Sequence, residues 1–285
     1  MTTLKTLTAL ALASALSFPG LARAQFDFIT IDVPGATATA ADGNSTHEIA
    51  GEYDDANGDM HGFVLSNGSF TTINFPGADS TSVNGIAANG RLAGTYFTTR
   101  SYAFFWSKGA FMTLDPPGAL RSQGGFLNAQ GDVVGTYRDS GNVRHCFIWS
   151  KGNFTTVDVP GSDPSNGPTC FGIDDRGQVA GTYLDAGGNR HGFLLSDGVY
   201  TTIDYPGAVF TVAEGVNNSG TVAGLFLGTD GTTHGFVLKD GVYTAVDVPG
   251  STFTEIYSIN AIGEIAGAYG DSDGNEHGVL GVPSH

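Results

Sequence analysis

A Pro-Gly pair recurs at Pro34, Pro76, Pro117, Pro160, Pro206 and Pro249, at intervals of about 41 to 46 residues. No other feature constrains the fold as strongly, because a period of this size implies one supersecondary unit stacked on copies of itself. Between successive Pro-Gly pairs lie four short apolar segments. In the unit after Pro160 they are "TCFGID" at 169–174, "GQVAGTY" at 177–183, "HGFLL" at 191–195 and "YTTID" at 200–204. Each is rich in β-branched and aromatic residues and bounded by Gly, Asn, Asp or Pro, which are strand signals. None sustains a helical period. Four strands in each unit is the spacing of a propeller blade. A solenoid would use shorter repeats, and a closed barrel would need far more strands than barrels of this size contain.

The turns set the register. Asn67-Gly68, Asp197-Gly198 and Asp240-Gly241 lie between the third and fourth segments, and such pairs favour the two-residue type I′ hairpin. Lys108-Gly109 and Lys151-Gly152 fill the same slot. The third and fourth segments therefore belong to one blade, and the Pro-Gly linker leads to the inner strand of the next. Asn128, Asn217 and Asn260, with Asp174 as a variant, each precede a glycine by three residues after the first strand and read as turn formers. An outer strand without a blade, "FDFITIDV" at 26–33, precedes the first unit, and "HGVLGV" at 277–282 ends the last unit without an outer strand. Joined, they complete a blade. The expected fold is all-β: a six-bladed β-propeller with four antiparallel strands per blade, its ring closed by residues 26–33 and its exposed sheet edges removed.

Counting back from the hairpin turn sets His191 opposite Asp204, His145 opposite Asp158 and His234 opposite Asp247. His61 meets Asn74, Tyr102 meets Asp115, and ring closure brings His277 to Asp32. A carboxylate beside an imidazole can hold a catalytic histidine; it can also be a cross-strand peg that satisfies polar groups. Catalysis needs one converging set of groups. These pairs are spread one per blade, which favours the peg.

Residues 1–24 read as a secretory signal peptide, with Lys5 in its basic region, an apolar stretch from Leu7 to Phe18, and Ala22-Arg23-Ala24 at the cleavage site. The expectation is a secreted, extracellular or periplasmic chain with one domain over 25–285, without membrane insertion and monomeric. The net charge of −16 disfavours nucleic acid as a partner. Cys146 and Cys170 lie in apolar runs of neighbouring units; after export they could be a disulfide or two buried thiols.

The motifs "HGFLLSDG", "HGFVLSNG" and "YAFFWSKG", with "FTTIDVPGA"-like segments and "GxVAGTY", resemble the HAF repeat of bacterial extracellular proteins. The resemblance implies a secreted repeat protein and supplies no catalytic residues. Departures are Tyr102 for His, Cys146 for Gly, and a degraded second strand in the first unit, "TAADGNSTHEIAG".

The loops between the second and third strands vary and gather Asp55, Asp139, Asp185, Asp230, Asp271 and Asp273 on the linker face. Variable loops on a rigid scaffold favour a binding face. "DSDGNE" at 271–276 resembles part of a calcium loop but lacks the full ligand spacing, so no metal or other cofactor is expected, with calcium as the cation to test. The function expected is a non-enzymatic binding or scaffold module for extracellular polysaccharide or protein. The alternative is a polymer-acting hydrolase or lyase with one site at the channel mouth, which requires Arg121, Asp163 and Glu214 to converge.

Overall fold

The computed structural model describes residues 26–163 and 165–284, which form 24 strands and no helix. The signal-peptide expectation for residues 1–24 lies outside the described residues. The strands make six antiparallel four-stranded sheets. Blade 1 comprises Ala38–Asn44, Glu48–Asp54, Met60–Ser66 and Ser69–Ile73 from the axis outward. Blade 2 comprises Ser80–Ile86, Leu92–Phe97, Ser101–Ser107 and Ala110–Leu114. Blade 3 comprises Arg121–Leu127, Val133–Arg138, Arg144–Ser150 and Asn153–Val157. Blade 4 comprises Thr169–Ile173, Val179–Leu184, Arg190–Ser196 and Val199–Ile203. Blade 5 comprises Phe210–Val216, Val222–Leu227, Thr233–Lys239 and Val242–Val246.

Blade 6 takes Phe253–Ile259, Ile265–Gly270 and Glu276–Pro283 from the end of the chain and its outer strand, Phe26–Ile31, from the beginning. The closing register runs from Phe26 opposite Pro283 to Ile31 opposite Gly278. The ring is therefore sealed as the orphan strands require.

The repeat motifs have a common packing origin. The phenylalanine of the third strand in blades 1 to 5 (Phe63, Phe104, Phe147, Phe193, Phe236) is among the largest fully buried side chains, and blade 6 has Val279 in its place. Directly opposite each phenylalanine lies a second-strand glycine: Gly51, Gly94, Gly135, Gly181 and Gly224. A Cβ on any of these would collide with the ring and with an inner-strand carbonyl. Glycine is thus required by a close approach between strands, not by flexibility. The next residue but one is an aromatic (Tyr53, Tyr96, Tyr137, Tyr183) whose hydroxyl bonds Thr72, Thr113, Thr156 or Thr202 of the outer strand at 2.9–3.1 Å. This ties three strands together across the blade.

The hairpin turns adopt positive φ at both central residues, 49° and 74° at Asn67-Gly68 and 50° and 77° at Asp197-Gly198. Lys108 and Lys151 hold the same conformation, at 53° and 50°. The first unit corrects one expectation. Its second strand, Glu48–Asp54, is complete. Only the preceding turn departs, with the Ser45 hydroxyl accepting from the Glu48 amide at 3.1 Å in place of an Asn-x-x-Gly turn.

The asparagines of the other turns form turns and also couple blades. Asn128 Nδ2 donates to the Asp174 carbonyl, Asn217 Nδ2 to the Asn260 carbonyl and Asn260 Nδ2 to the Ser45 carbonyl.

Candidate functional site

Every inner strand slips register once against its neighbour. The slips fall between Ala40 and Gly43, Val83 and Gly85, Gly124 and Leu127, Cys170 and Gly172, Ala213 and Gly215, and Ile256 and Ser258. A bulge leaves a residue out of the ladder and re-aims its side chain. The residues so released include Asp42, Asn84, Phe126, Phe171, Glu214 and Tyr257. All six line one cavity of about 240 Å³, to which every blade contributes. In five blades the bulge presents one side chain to the ring axis, and those five residues differ; blade 3 has Gly125 at that position, with Phe126 beside it.

The axial set is acidic on one side. Burial pushes the Asp42 carboxyl well above its ordinary range, and the charges of Glu52, Glu214 and Glu276 add to this. Burial and Glu255 do the same to Glu214, while Arg190 opposes them. The Tyr257 hydroxyl donates to Glu255 Oε2 at 2.6 Å, and its phenol is pushed up by burial and by that carboxylate. Glu276 is raised by burial and by Glu255, Glu52 and Asp54. One Asp42 carboxylate oxygen and the Asn84 side-chain carbonyl reach no partner among the described residues.

The opposite side of the mouth is basic. Cross-strand register sets Arg121 opposite Arg138 and Arg138 opposite Arg144 along the linker-face edge of blade 3. Arg190 occupies the corresponding third-strand position in blade 4, opposite Leu184. The same edge row reads Ala38, Asp54, Met60 in blade 1 and Phe253, Gly270, Glu276 in blade 6. Arg121, Arg138 and Arg144 share a cleft of about 230 Å³ with Gln123 and Tyr137. Arg144 and Arg190 face Glu214 and Glu255 across a second cleft of about 370 Å³, floored by Phe171 and Phe210. The Arg190 guanidinium lies 5.2 Å above the Phe210 ring, and Arg144 Nη1 donates to Thr169 Oγ1 at 3.1 Å. Burial, then Arg138, Arg121 and Arg190, lower the Arg144 pKa.

The histidines lie farther out on the same face. Each Nδ1 contacts the residue just beyond the outer strand: Asn74 at 3.1 Å for His61, Asp158 at 2.7 Å for His145 and Asp204 at 2.9 Å for His191. His234 meets Asp247 at 2.7 Å and His277 meets Asp32 at 3.1 Å. The other ring nitrogen approaches the loop aspartate, at 3.7 Å for Asp55, 3.6 Å for Asp139, 3.5 Å for Asp185, 3.3 Å for Asp230 and 3.2 Å for Asp271. Each imidazole also packs on the aromatic opposite it, with centroids 5.1–5.3 Å apart. In blade 2, where Tyr102 replaces histidine, Arg100 supplies the cation. Its guanidinium pairs with Asp115 at 2.8 Å and lies 4.4 Å over the Tyr102 ring.

These contacts also place the loop carboxylates. Oδ1 of Asp55 accepts from the amides of Asn57 and Asp59, and Oδ1 of Asp185 from Gly187 and Asn189. Asp271 accepts from Asp273 and Asn275, Asp139 from Val143, and Asp230 from Thr232. With Oδ2 turned to histidine, these five carboxylates brace their own loops; Asp273 points to solvent at the tip of the last one. Among the described residues no group of three or more His, Cys, Asp or Glu is arranged to hold a metal ion.

Arg121 and Glu214 line adjoining clefts, but Asp163 does not join them. Its carboxylate accepts from the amide and hydroxyl of Ser165 in the linker to blade 4. The trio required for the enzymatic alternative is not assembled. Cys146 and Cys170 are disulfide-bonded, with Cα atoms 5.6 Å apart. This joins the third strand of blade 3 to the inner strand of blade 4, two residues from Arg144.

No family model matches the chain, and no curated protein sequence matches it. Solved structures share the fold. TolB from Acinetobacter baumannii superposes with a TM-score of 0.58 at 12% identity over 84% of this chain, which spans 64% of the TolB chain. A lectin from Aleuria aurantia, solved with α-methyl-L-fucoside, gives 0.53 at 11% identity over 88% of this chain and 93% of the lectin. The β-propeller domain of the trilobed protease from Pyrococcus furiosus, described as having an open velcro topology, gives 0.51 at 7% identity over 86% of this chain and 95% of that one. In this chain the closing strand is paired.

Proposed function

We propose that the chain is a secreted, monomeric, non-enzymatic binding module for an extracellular glycan, with a single ligand site at the linker-face mouth of the axial channel. One observation carries this reading. The repeat keeps its core phenylalanines and turns nearly constant, and varies where side chains reach the axis and the adjoining rim. A fold needs no such variation, whereas an asymmetric ligand does. The site also combines apolar surfaces, Phe171 and Phe210, with hydroxyl and amide groups from Thr169, Thr182 and Asn166, a mixture suited to sugar rings. The likeness of fold to a fucoside-binding lectin supports the class of ligand. The HAF-like motifs and the signal-peptide pattern support secretion.

Binding of the purified protein to arrays of cell-wall and plant polysaccharides, with and without calcium, tests the reading. Saturable binding to one polymer class, unaffected by chelator, is expected. Absence of binding to every polymer would turn the search to protein partners.

A second reading is favoured by the placement of Asp42 and Glu214 at the axis, where burial and neighbouring carboxylates raise both carboxyls, since a carboxyl raised in this way can serve as a general acid. It requires turnover of the bound polymer, abolished by Glu214→Gln. Polymer that is bound but not shortened excludes it.

A further inference from the structure

The arginine row of blades 3 and 4 is the least expected arrangement in the molecule. The chain carries 28 acidic and 12 basic residues, yet four arginines meet at one rim. Like charges directly opposite across strands are destabilising, and here two successive cross-strand pairs, Arg121 with Arg138 and Arg138 with Arg144, are both Arg-Arg. Among the described residues no carboxylate forms an ion pair with any of the four; the arginines that do have one are Arg100 and Arg176. Acidic side chains are near. Glu214 and Glu255 line the far wall of the same cleft, but they stay there, Glu255 bound to Tyr257.

The rim is also held rigid where the arginines stand. The disulfide ties blade 3 to blade 4 beside Arg144. Gly167 of the linker lies flush against the Arg144 carbonyl, where a Cβ could not fit. Phe210 lies beneath Arg190, and Thr169 accepts from Arg144. Guanidinium groups present planar forks that match a carboxylate in two-point contact. The Glu255 carboxylate repels an anion from the far wall and leaves the arginine side as its seat. Hydroxyls of a sugar ring could meanwhile donate to Glu255 and Glu214.

We propose that this rim recognises a carboxylate-bearing saccharide, a uronic acid unit of an anionic polysaccharide, with the carboxylate held by Arg121, Arg138, Arg144 and Arg190. The inference rests on the glycan-binding reading above and narrows it to acidic glycans.

The test is titration of the full protein with polygalacturonate, with its carboxyl-reduced counterpart, with a neutral glucan and with polyglutamate. The variants are Arg121→Gln, Arg138→Gln and Arg190→Gln, whose side chains stand at the rim. Polygalacturonate should bind saturably and the reduced polymer far more weakly. Each variant should weaken polygalacturonate binding by roughly 10- to 100-fold, the range expected for losing hydrogen bonds to a charged group. Arg121→Gln should leave the melting temperature unchanged or raise it, because it removes like-charge repulsion with Arg138 and breaks no hydrogen bond, so its loss of binding cannot be ascribed to unfolding. Equal binding of the reduced or neutral polymer, indifferent to the variants, overturns the carboxylate inference and leaves the glycan reading intact. Arginine-dependent binding of polyglutamate as tight as that of polygalacturonate overturns the saccharide part, since charge alone would then be read. Binding of no polymer at all overturns the glycan reading and this inference with it.

Discussion

The two seams that lie opposite one another in the ring are built by different means. Blade 6 is closed by strand pairing without a cross-link, and no disulfide joins it to blade 1. Phe26–Ile31 pairs with Glu276–Pro283, and Ser258, Asn44, Asn260 and Ser45 exchange buried hydrogen bonds across the seam. Its rim is acidic, with Glu52, Asp54 and Glu276. Between blades 3 and 4 a disulfide crosses the seam, the linker is the longest between any two blades, the inner strand of blade 4 has only five residues, and the rim is basic. Fold-level needs explain the first seam, because any ring must close. They do not explain the second, which departs from the repeat in staple, linker and charge together. A departure concentrated at one seam points to use and not to drift.

The comparison can be broken experimentally, most severely at the closing seam. Deleting residues 26–31 should expose the edge of Glu276–Pro283 and the face that Ile31 covers, lowering the melting temperature by more than ~10 °C or causing aggregation. Circular dichroism melting with size-exclusion chromatography checks this, and a truncated protein that melts like the full chain would falsify the closure argument. Replacing Cys146 and Cys170 together by serine should cost less, about 3 kcal/mol for a cross-link of this loop length. Its effect should be local: hydrogen exchange should rise in the blade 3–4 linker and stay unchanged at the closing seam. Uniform loosening of all six blades would contradict the division of labour.

A smaller effect follows from the histidines. Burial alone would lower His191, His234 and His277, but hydrogen bonds and charge from their paired aspartates outweigh it and hold all three above the ordinary value. A group that binds its proton more tightly when folded stabilises fully below its unfolded pKa of ~6.5, and the contribution fades as pH rises through the folded value. Asp185, lowered to about 2 chiefly by Asn189, acts oppositely. Its contribution is full above ~3.9 and fades as pH falls towards the folded value. The melting temperature should therefore be highest between these limits and decline by a few degrees towards pH ~9. His277→Gln, at the closing seam, should flatten the alkaline limb, and an unaltered profile would remove the imidazoles from the account.

The smallest change should come from the turns. Lys108→Asn and Lys151→Asn place a better residue at positive φ and should each stabilise by ~0.5 kcal/mol, read from chemical denaturation. Because both turns face away from the rim, ligand binding should not move.

Blade architecture was legible because its signals are local. Asn67-Gly68 and Asp197-Gly198 fix the hairpin register, and from them the separation of His191 from Asp204 follows by counting. Apart from Glu214, which stands out as a non-repeating residue, the axial residues were not legible, because a bulge adds a residue without any fixed side-chain type: Asp42, Asn84, Phe171, Glu214 and Tyr257 share a position without a common side chain. The arginine row was within reach of the same counting. Arg144 precedes His145 by one residue, and Arg138 lies opposite it across the loop at 139–143. Arg121 stands out in the sequence only as a non-repeating residue, and it joins the others only once the inner strand is aligned through its bulge. The loop aspartates mislead a reading by exposure, since the nearest donors to Asp55 and Asp185 are amides two and four residues further along the same loop.

The closing strand has a consequence in time. Phe26–Ile31 is made about 250 residues ahead of its partner, Glu276–Pro283. At ordinary elongation rates that interval is on the order of 12–50 s. Throughout it the ring cannot seal, whatever the individual blades have achieved. The slowest and most distant pairing in the molecule thus acts as a completion signal, withheld until every blade is present to be enclosed.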